Sequence, residues 1–310
     1  MQLWGKGERF MRIRQPGKIR DALWFLGREE SCVYLLEGTD QSMIVSGGMS
    51  YIMSDLLHQF EIFGINETRI KKLLILHAHF DHVGIIPFLK RRYPGLEVYA
   101  SFRARELLLQ RKVIDTINQF SRDTAKHMGM EKVYDTYDLD WRGNIHVKPI
   151  SEGHRIDLGN LQIQIYETPG HSSCSISAYV PRLKALFPSD GGGIPYKGMI
   201  IASGNSNYTK FQQSLEKLKD LEVEYICADH YGYVTGDEAK GFIRNTIVAA
   251  KDRRASIEEV YRRTKNIEAT VNELASRFEN ENPDYLISPE INKGVYRQIV
   301  RHIASTMAKS

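Results

Sequence analysis

The sequence predicts an α/β fold that is followed by a helical extension. Short apolar runs of strand length alternate with segments of helical periodicity from about residue 20 to residue 235. From Asp237 onward the apolar residues recur at helical spacing alone. Several strand-like runs end in histidine or aspartate, and in layered α/β folds the side chains at strand ends converge on a common crevice.

The first half of the chain predicts strands and short helices in turn. Strands are expected at 22–26, 32–36 and 43–45, and a helix at 51–63 is expected to end at Gly64. A strand at 72–76, a helix at 88–92, a strand at 96–100 and a helical segment at 102–128 follow. The aromatic stretch 134–141 is typical of a loop that either shapes a pocket or packs on the surface.

The second half predicts further strands and then the extension. Strands are expected at 146–150, 161–168, 174–180, 184–188 and 222–227, with a helix at 208–220. In the extension, Ser288-Pro289-Glu290 provides an N-cap, a first-turn proline and a first-turn acid. We expect the extension to pack over the rim of the site or to form a homodimer surface. Its arginines at 253, 254, 262 and 263 predict a solvated face, with contact to a phosphate-bearing ligand as the alternative.

The most informative segment is His77-Ala78-His79-Phe80-Asp81-His82, which directly follows the apolar run 73–76. Positions 77, 79 and 81 share the period of two that places alternate strand residues on one face. Asp81 and His82 are adjacent, so at the end of the strand their side chains can face a second metal ion. Removing four polar side chains from water at the end of a strand costs free energy unless hydrogen bonds or metal ions compensate for it. Imidazole and carboxylate ligands in this arrangement suit two adjacent ions such as Zn²⁺.

Three residues farther along the chain supply what the segment lacks. His171 follows the strand-like residues 161–166, Asp190 follows the apolar run 185–187, and His230 follows the run 225–228. Each of the three ends a predicted strand, so all seven ligand-type residues are expected to meet at one rim of the fold.

The pattern of the seven residues resembles that of the metallo-β-lactamase superfamily, whose motif is His-x-His-x-Asp-His followed by a distant His, Asp and His. The resemblance covers residues 20 to 240 approximately. It implies a four-layer αββα sandwich at 1–240, with a helical extension at 241–310 packed on it. The layout and the tail are most similar to the thioester-hydrolase branch that includes the quinolone-signal thioesterase. Many members carry an aspartate before the first helix, where this chain has Ser46-Gly47-Gly48; its loss leaves the ligand count intact.

The resemblance also implies a ligand set and a mechanism. One metal would take His77, His79 and His171, a second would take Asp81, His82 and His230, and Asp190 would bridge both. The implied reaction is hydrolysis of an acyl substrate by a hydroxide that bridges the ions. Asp81 would orient the water and shuttle a proton. Tyr196 and Tyr231 are candidates to hydrogen-bond the oxyanion. We expect zinc, with iron or manganese as alternatives, because sites rich in histidine and aspartate accept all three metals.

Several function classes share this ligand pattern. A hydrolase of thioesters, lactones or esters is expected first. A phosphodiesterase or ribonuclease is the second hypothesis, although a net charge of +4 without an extended basic, aromatic-rich stretch makes a nucleic-acid partner unexpected. A flavin-linked diiron enzyme is disfavoured because such proteins typically have a carboxylate in the place of His79. A mononuclear iron persulfide oxygenase and a low-turnover regulatory binder stay open.

Composition sets the remaining expectations. A hydrophobic content of 42% predicts a packed core. The first residues have no apolar signal-peptide core, and no run approaches the roughly 20 apolar residues that span a bilayer, so we expect a cytoplasmic protein with no membrane partner. Cys32, Cys174 and Cys227 form no Cys-x-x-Cys pair and are expected in the core. The expected partner is a small-molecule acyl substrate.

Overall fold

A computed structural model of the chain describes residues 11–285 and 287–308. Within these ranges sixteen strands form two seven-stranded sheets and a two-stranded hairpin. The strands are β1 (Met11–Ile13), β2 (Gly17–Arg20), β3 (Leu23–Arg28), β4 (Ser31–Glu37), β5 (Ser42–Val45), β6 (Ile70–Leu74), β7 (Glu97–Ser101), β8 (Val147–Ile150), β9 (Arg155–Asp157), β10 (Gln162–Glu167), β11 (Ile176–Val180), β12 (Ala185–Phe187), β13 (Ile194–Tyr196), β14 (Met199–Ile201), β15 (Tyr225–Cys227) and β16 (Tyr233–Thr235). The α-helices are α1 (Met53–Ile62), α2 (Ile86–Arg92), α3 (Phe102–Leu108), α4 (Arg111–His127), α5 (Val133–Thr136), α6 (Tyr208–Leu218), α7 (Gly236–Thr264), α8 (Ile267–Glu281) and α9 (Pro289–Met307).

The N-terminal sheet contains β2 to β8 in chain order. Strands β2 to β5 pair antiparallel, whereas β5, β6, β7 and β8 pair in parallel. Parallel neighbours end at the same edge of a sheet. The loop after β5 and the loop after β6 therefore lie side by side, and the Gly47 N–H donates to the carbonyl of His82 at 2.8 Å.

The C-terminal sheet has the order β1-β16-β15-β12-β11-β10-β9. Strands β12 and β15 pair in parallel, with Leu186 opposite Ile226, so the segments that follow them leave the sheet at the same edge. The turn between the antiparallel strands β10 and β11 lies at that edge too. This topology brings three segments that are far apart in the chain to one place.

The core has three layers of apolar contact, one between the sheets and one on each outer face. Phe25 and Tyr34 of the N-terminal sheet pack with Ile163 and Phe187 of the C-terminal sheet. The other face of the N-terminal sheet is covered by α1, whose Phe60 is buried in the same cluster as Ile44 and Leu73. The outer face of the C-terminal sheet is covered by α6 to α9. The predicted four-layer αββα sandwich is confirmed.

The helical extension continues the layer that covers the C-terminal sheet. Ile257, Val271 and Ile299 lie in one apolar cluster with Phe211 of α6. The start of α9 has the predicted signals, since the Ser288 hydroxyl accepts the Ile291 N–H at 3.4 Å and proline takes the first turn. The predicted division into 1–240 and 241–310 falls within α7 and stays a prediction. Among the described helices, none combines the length and the apolarity that crossing a membrane requires.

The structure differs from the predicted elements in four ways. Strand β6 ends at Leu74, two residues earlier than predicted, and the predicted helix over 102–128 is divided into α3 and α4. The predicted strand 222–227 shortens to Tyr225–Cys227. The remaining strands were not predicted: β1, β2, β9, β13, β14 and β16. Each of these has three or four residues, too few to show a period of two, and pairing with a neighbour defines it.

Candidate metal centre

The histidine-rich segment lies in the loop after β6 and not on the strand, so the expectation that strand periodicity orients it is wrong. The chain is extended at His79 (φ −76°, ψ 153°) and then forms a 3-10 turn at Phe80–His82. The His82 N–H closes this turn by donating to the His79 carbonyl at 3.1 Å. The turn separates the side chains into two groups, His77 with His79 and Asp81 with His82.

Gly84 allows the loop after β6 to pass very close to the loop after β5 as it leaves the site. A Cβ at this position would lie 2.2 Å from the Ser50 nitrogen, so only glycine fits. Its N–H donates to the carbonyl of Gly48 at 2.7 Å, which ties the loop after β6 to the loop after β5. The sharp turn at Gly84 therefore depends on the close approach of two backbones.

The first group consists of His77, His79 and His171. The Nδ1 atom of His79 lies 3.1 Å from Nε2 of His77 and 3.1 Å from Nε2 of His171. Burial, reinforced by the neighbouring imidazoles, lowers the pKa of His79 to about 4 and lowers the pKa of His77 and His171 as well. All three rings are therefore neutral at pH 7 and offer lone pairs to a cation.

The second group consists of Asp81, His82, Asp190 and His230. Nε2 of His82 lies 3.3 Å from Nε2 of His230, 3.4 Å from Asp81 Oδ2 and 3.3 Å from Asp190 Oδ2. Burial disfavours the charged form of His230, but Asp190 and Asp81 outweigh it and raise the pKa of His230 to about 9. Burial by itself would raise the pKa of Asp81, but His82 and His230 outweigh it and hold this pKa well below the usual range.

Asp190 lies between the two groups. Its Oδ2 atom is 3.4 Å from Nε2 of His171 in the first group and 3.3 Å from Nε2 of His82 in the second. Its Oδ1 atom is buried and has no hydrogen-bond partner among the described residues. A buried carboxylate oxygen without a donor is unfavourable unless a cation satisfies it. The donor set, with nitrogen on one side and nitrogen with oxygen on the other, fits two adjacent divalent ions.

The far nitrogen of four imidazoles is held by the protein. Nδ1 of His171 donates to the Ser203 carbonyl at 2.8 Å, and Nδ1 of His230 donates to the Glu30 carbonyl at 2.7 Å. Donation from Nδ1 leaves Nε2 of the neutral His171 ring as the acceptor that faces the centre. The His230 ring, whose pKa is about 9, carries a proton on Nε2 at neutral pH that a metal ion would displace. These carbonyls were not identified in the sequence, because a backbone oxygen carries no residue signature.

Asp229 and Ser189 hold the other two imidazoles. Nδ1 of His82 donates to Asp229 Oδ2 at 2.9 Å, and the Ser189 hydroxyl makes a short hydrogen bond to the same oxygen. Ser189 in turn lies 3.0 Å from Nδ1 of His77. One buried carboxylate thus orients a ligand-type residue in each group. The sequence analysis missed Asp229, although the pair Asp229-His230 repeats the local order of Asp81-His82.

The two predicted tyrosines lie together, and a third joins them. The rings of Tyr196 and Tyr231 are 4.9 Å apart, and Tyr285 lies 5.0 Å from Tyr196 and 6.2 Å from Tyr231. Burial raises the pKa of the Tyr285 phenol well above its usual range, and Tyr231 and Asp190 add to the effect. Tyr285 follows α8, so the extension contributes to the rim; nothing in the local sequence marks it.

The aromatic stretch 134–141 and the cysteines have structural partners. The Trp141 Nε1–H donates to the Val83 carbonyl at 3.0 Å, and the Tyr134 hydroxyl donates to Ser50 Oγ at 2.9 Å. Cys174 Sγ accepts the Ala78 N–H at 3.4 Å and so supports the histidine-rich loop. All three cysteines are buried, as predicted.

Comparison with known proteins agrees with the metal-binding geometry of the site. Residues 26–230 match the sequence profile of the metallo-beta-lactamase superfamily. A metallo-beta-lactamase fold-containing protein of Sulfurisphaera tokodaii is 24% identical over 212 residues, which are 67% of this chain and 75% of that protein. A hydroxyacylglutathione hydrolase of Legionella pneumophila is 25% identical over 173 residues, 54% of this chain and 50% of the hydrolase. The chain therefore spans half the length of that relative.

Two further similarities are more limited. A ribonuclease J of Mycoplasma genitalium is 28% identical over 114 residues, 32% of this chain and 20% of the nuclease. The structure of a metallo-beta-lactamase family protein from Thermus thermophilus superposes with a TM-score of 0.66 at 16% identity, covering 94% of this chain and 95% of that chain. The predicted resemblance is confirmed at the level of the superfamily, and the chain belongs to the metallo-beta-lactamase superfamily of metal-dependent hydrolases.

Proposed function

We propose that this protein hydrolyses small acyl substrates, thioesters in preference to lactones and other esters, with two divalent metal ions. The observation that carries the proposal is the pair of adjoining histidine and aspartate groups that share Asp190. The similarity to hydroxyacylglutathione hydrolases favours thioesters, because the compounds in that name are thioesters of glutathione. Membership of the thioester-hydrolase branch that includes the quinolone-signal thioesterase is part of the same proposal.

The ligand set that we propose is the one expected from the sequence. His77, His79 and His171 would hold one ion, Asp81, His82 and His230 the other, and Asp190 would contact both. Zinc is the first expectation, with iron or manganese as alternatives. When bound, the ions would supply an activated water and Lewis-acid polarisation of the acyl carbonyl.

Asp81 is suited to hold the attacking water and to accept its proton. Its side chain is 20% exposed, whereas that of Asp190 is 6% exposed, so water reaches Asp81 more easily. The low pKa of Asp81 keeps it ionised at neutral pH, which makes it a hydrogen-bond acceptor for water. The proton that Asp81 takes from the water can pass to the leaving thiolate or alkoxide.

The tyrosines are suited to bind the substrate carbonyl. A phenol that stays protonated at neutral pH can donate a hydrogen bond to the carbonyl oxygen as negative charge develops there. The ring of Tyr231 lies 6.5 Å from the His230 ring, and the ring of Tyr196 lies 4.9 Å from that of Tyr231, so both hydroxyls are candidates for this role. Tyr285 packs on Tyr196 from the side of the extension, where it would limit the access of bulk water.

The proposal is tested with protein purified without added metal and then loaded separately with zinc, iron or manganese. We expect one metal form to act on acyl thioesters faster than on lactones, phosphodiesters or persulfides. A chelator should abolish this activity. H79A should lose metal and activity together, whereas H127A, a change at an exposed histidine on α4, should keep both. Turnover that persists in metal-free protein, or in H79A, would contradict the proposal.

A phosphodiesterase is the second candidate, because the similarity to ribonuclease J is the observation that favours it. The same metal-loaded protein should then cleave bis(p-nitrophenyl) phosphate faster than any thioester in the panel. The persulfide oxygenase would show itself by oxygen consumption with a persulfide substrate. Cytoplasmic location and a homodimer remain predictions, and the second is measured by sedimentation.

A further inference from the structure

Arg253 differs from the other arginines of the extension. Arg262 and Arg263 are more than 60% exposed and pair with glutamates, as expected for a solvated face. Arg254 is half-buried and bonds to Glu258 at 2.9 Å and to Gln212 at 3.1 Å. Arg253 has no hydrogen bond or ion pair within 11–285 and 287–308, and its Nε atom is buried. The predicted solvated face is therefore wrong for Arg253.

The guanidinium of Arg253 lines a cavity of about 130 Å³ between α7, α8 and α9. It lies over the ring of Tyr296, 4.8 Å from the ring centroid. Arg277 and Phe278 line the same cavity, and Glu281 is the acidic residue at its wall. Among the described residues, no ion pair joins Glu281 to the guanidinium. A buried guanidinium N–H without an acceptor is unfavourable, and an apolar floor strengthens its attraction to an anion.

A continuous row of aromatic rings links this cavity to the candidate metal centre. The Tyr296 ring lies 6.4 Å from Phe278, and Phe278 lies 5.1 Å from Tyr285. Tyr285 contacts Tyr231, which follows His230 in the chain. Each step is a direct side-chain contact. The row connects the wall of the cavity to the rim of the centre, and a flexible ligand that spans the two would lie against these rings.

We propose that the cavity binds the anionic end of the substrate, a phosphate or a carboxylate, while the acyl carbonyl lies at the metal centre. The inference rests on the proposed function, because it names the part of the acyl substrate that is not cleaved. The planar guanidinium of Arg253 would donate two parallel N–H bonds to such an oxyanion. Arg277, which also pairs with Glu273 at 3.3 Å, would add a partly neutralised second positive charge. The substrate class is thus a thioester whose thiol carries a remote anion.

Three acetyl thioesters that differ only in their thiol test the proposal. N-acetylcysteamine has no anion, phosphopantetheine carries a phosphate, and glutathione carries carboxylates. In R253Q the kcat/KM ratio of one charged thioester to the neutral one should fall about tenfold, mainly through KM. R253K should lose less, because it keeps the charge without the planar fork. E281Q should raise the ratio, and R262Q, a change on the exposed face of the same helix, should leave every rate unchanged. The charged thioester that responds identifies the anion as phosphate or carboxylate.

A second measurement separates failure of this inference from failure of the proposed function. Inorganic phosphate is titrated calorimetrically into metal-loaded wild-type protein and into metal-loaded R253Q. If neither protein cleaves any thioester but R253Q loses one phosphate-binding event, the proposed function fails and the anion site stands. If thioesters are cleaved and the charged-to-neutral ratio is the same in R253Q and wild type, the anion site is overturned. Metal content and circular dichroism of R253Q show that a change in ratio does not reflect misfolding.

Discussion

Asp190 and Asp81 have similar chemistry but different surroundings, and the difference assigns their roles. Asp190 is enclosed between both histidine groups, and one of its oxygens has no donor within the described ranges. Asp81 contacts only the second group and is partly open to water. At the scale of single residues, Asp190 is therefore suited only to bind metal, whereas Asp81 is suited both to bind metal and to accept a proton from water.

We expect D81A to lower kcat by about 10²–10⁴-fold, the usual contribution of a positioned acid–base group. The thermal stability of the metal-free protein should change little, since the hydrogen bonds of Asp81 are made to ligand-type histidines and not to the core. Turnover and Tm are measured for both metal-free and metal-loaded forms, with D123A on the exposed face of α4 as the control. An equal loss of Tm in both forms would assign Asp81 a structural role instead.

Asp229 provides the second prediction at this scale. Because it orients His82 directly and His77 through Ser189, D229N should weaken metal binding by about 10–100-fold. Competition with a chromogenic chelator measures the affinity, and S189A should weaken it by less because His82 keeps its partner. Unchanged affinity in D229N would show that the rings are held by the backbone alone.

At the scale of elements, the parallel strands β6, β7 and β8 are linked by charge as well as by backbone pairing. Glu97 on β7 bonds to Lys72 on β6 at 3.1 Å and to Lys148 on β8. The hydrogen bond from Lys148, followed by those from Tyr99 and Lys72, lowers the pKa of Glu97 from 4.5 to about 2. A carboxylate whose pKa is lower in the folded state stabilises that state above its unfolded pKa and loses this effect as pH falls.

We therefore expect E97Q to lower the free energy of unfolding near pH 6 by about 1 kcal/mol, a small figure because the side chain is 34% exposed and screened by water. The difference between E97Q and wild type should shrink as the pH falls from about 4.5 to about 2. Urea unfolding of metal-free protein measures it, with E106Q, at an exposed glutamate of α3, as the control. A difference that does not change over this pH range would show that Glu97 acts through packing rather than charge.

At the scale of the whole molecule, two sheets and the extension converge on one site. The N-terminal sheet supplies His77 to His82, the C-terminal sheet supplies His171, Asp190 and His230, and the extension supplies Tyr285. Two complete ligand groups exceed what one tetrahedral ion uses. We expect two metal ions per chain at saturation, measured by plasma mass spectrometry after gel filtration. A single ion at saturating supply, with His82 and His230 unliganded, would contradict the prediction.

The extension provides the last prediction. Removing residues 285–310 would delete Ile299, Val300 and Ile303 and so expose the apolar side chains of α7 and α8 against which they pack. A point substitution is therefore the sharper test of gating. In Y285A we expect the preference for an acyl thioester over p-nitrophenyl acetate to fall about tenfold, because two ring contacts at the rim are lost. Y285F keeps the ring and should keep the preference. An unchanged preference in folded Y285A would favour the extension as a dimer surface.

Much of the fold and of the site could be predicted from local features. Strands β3 to β7 and helices α1, α2 and α6 were predicted because an apolar run or a helical repeat marks each of them in the sequence. The short strands were not, since β16 is strand only through its pairing with β15 and β1. The position of the histidine-rich segment beyond the end of β6 was missed for a related reason. A loop that is extended at His79 has the alternating side-chain directions of a strand, but it lacks the backbone hydrogen bonds to a neighbouring strand.

The sequence by itself determined the superfamily and the types of side chain at the site, because these depend on residue identity and spacing within short segments. Only the tertiary structure decided how the site is supported and what surrounds it. Asp229 meets His82 across 147 positions, and the Glu30 carbonyl meets His230 across 200 positions. Whether the Nε atom of Arg253 is solvated or buried, and whether Tyr285 reaches the rim, likewise depends on how the extension packs. Such contacts arise from the packing of whole layers, and no local pattern of residues encodes them.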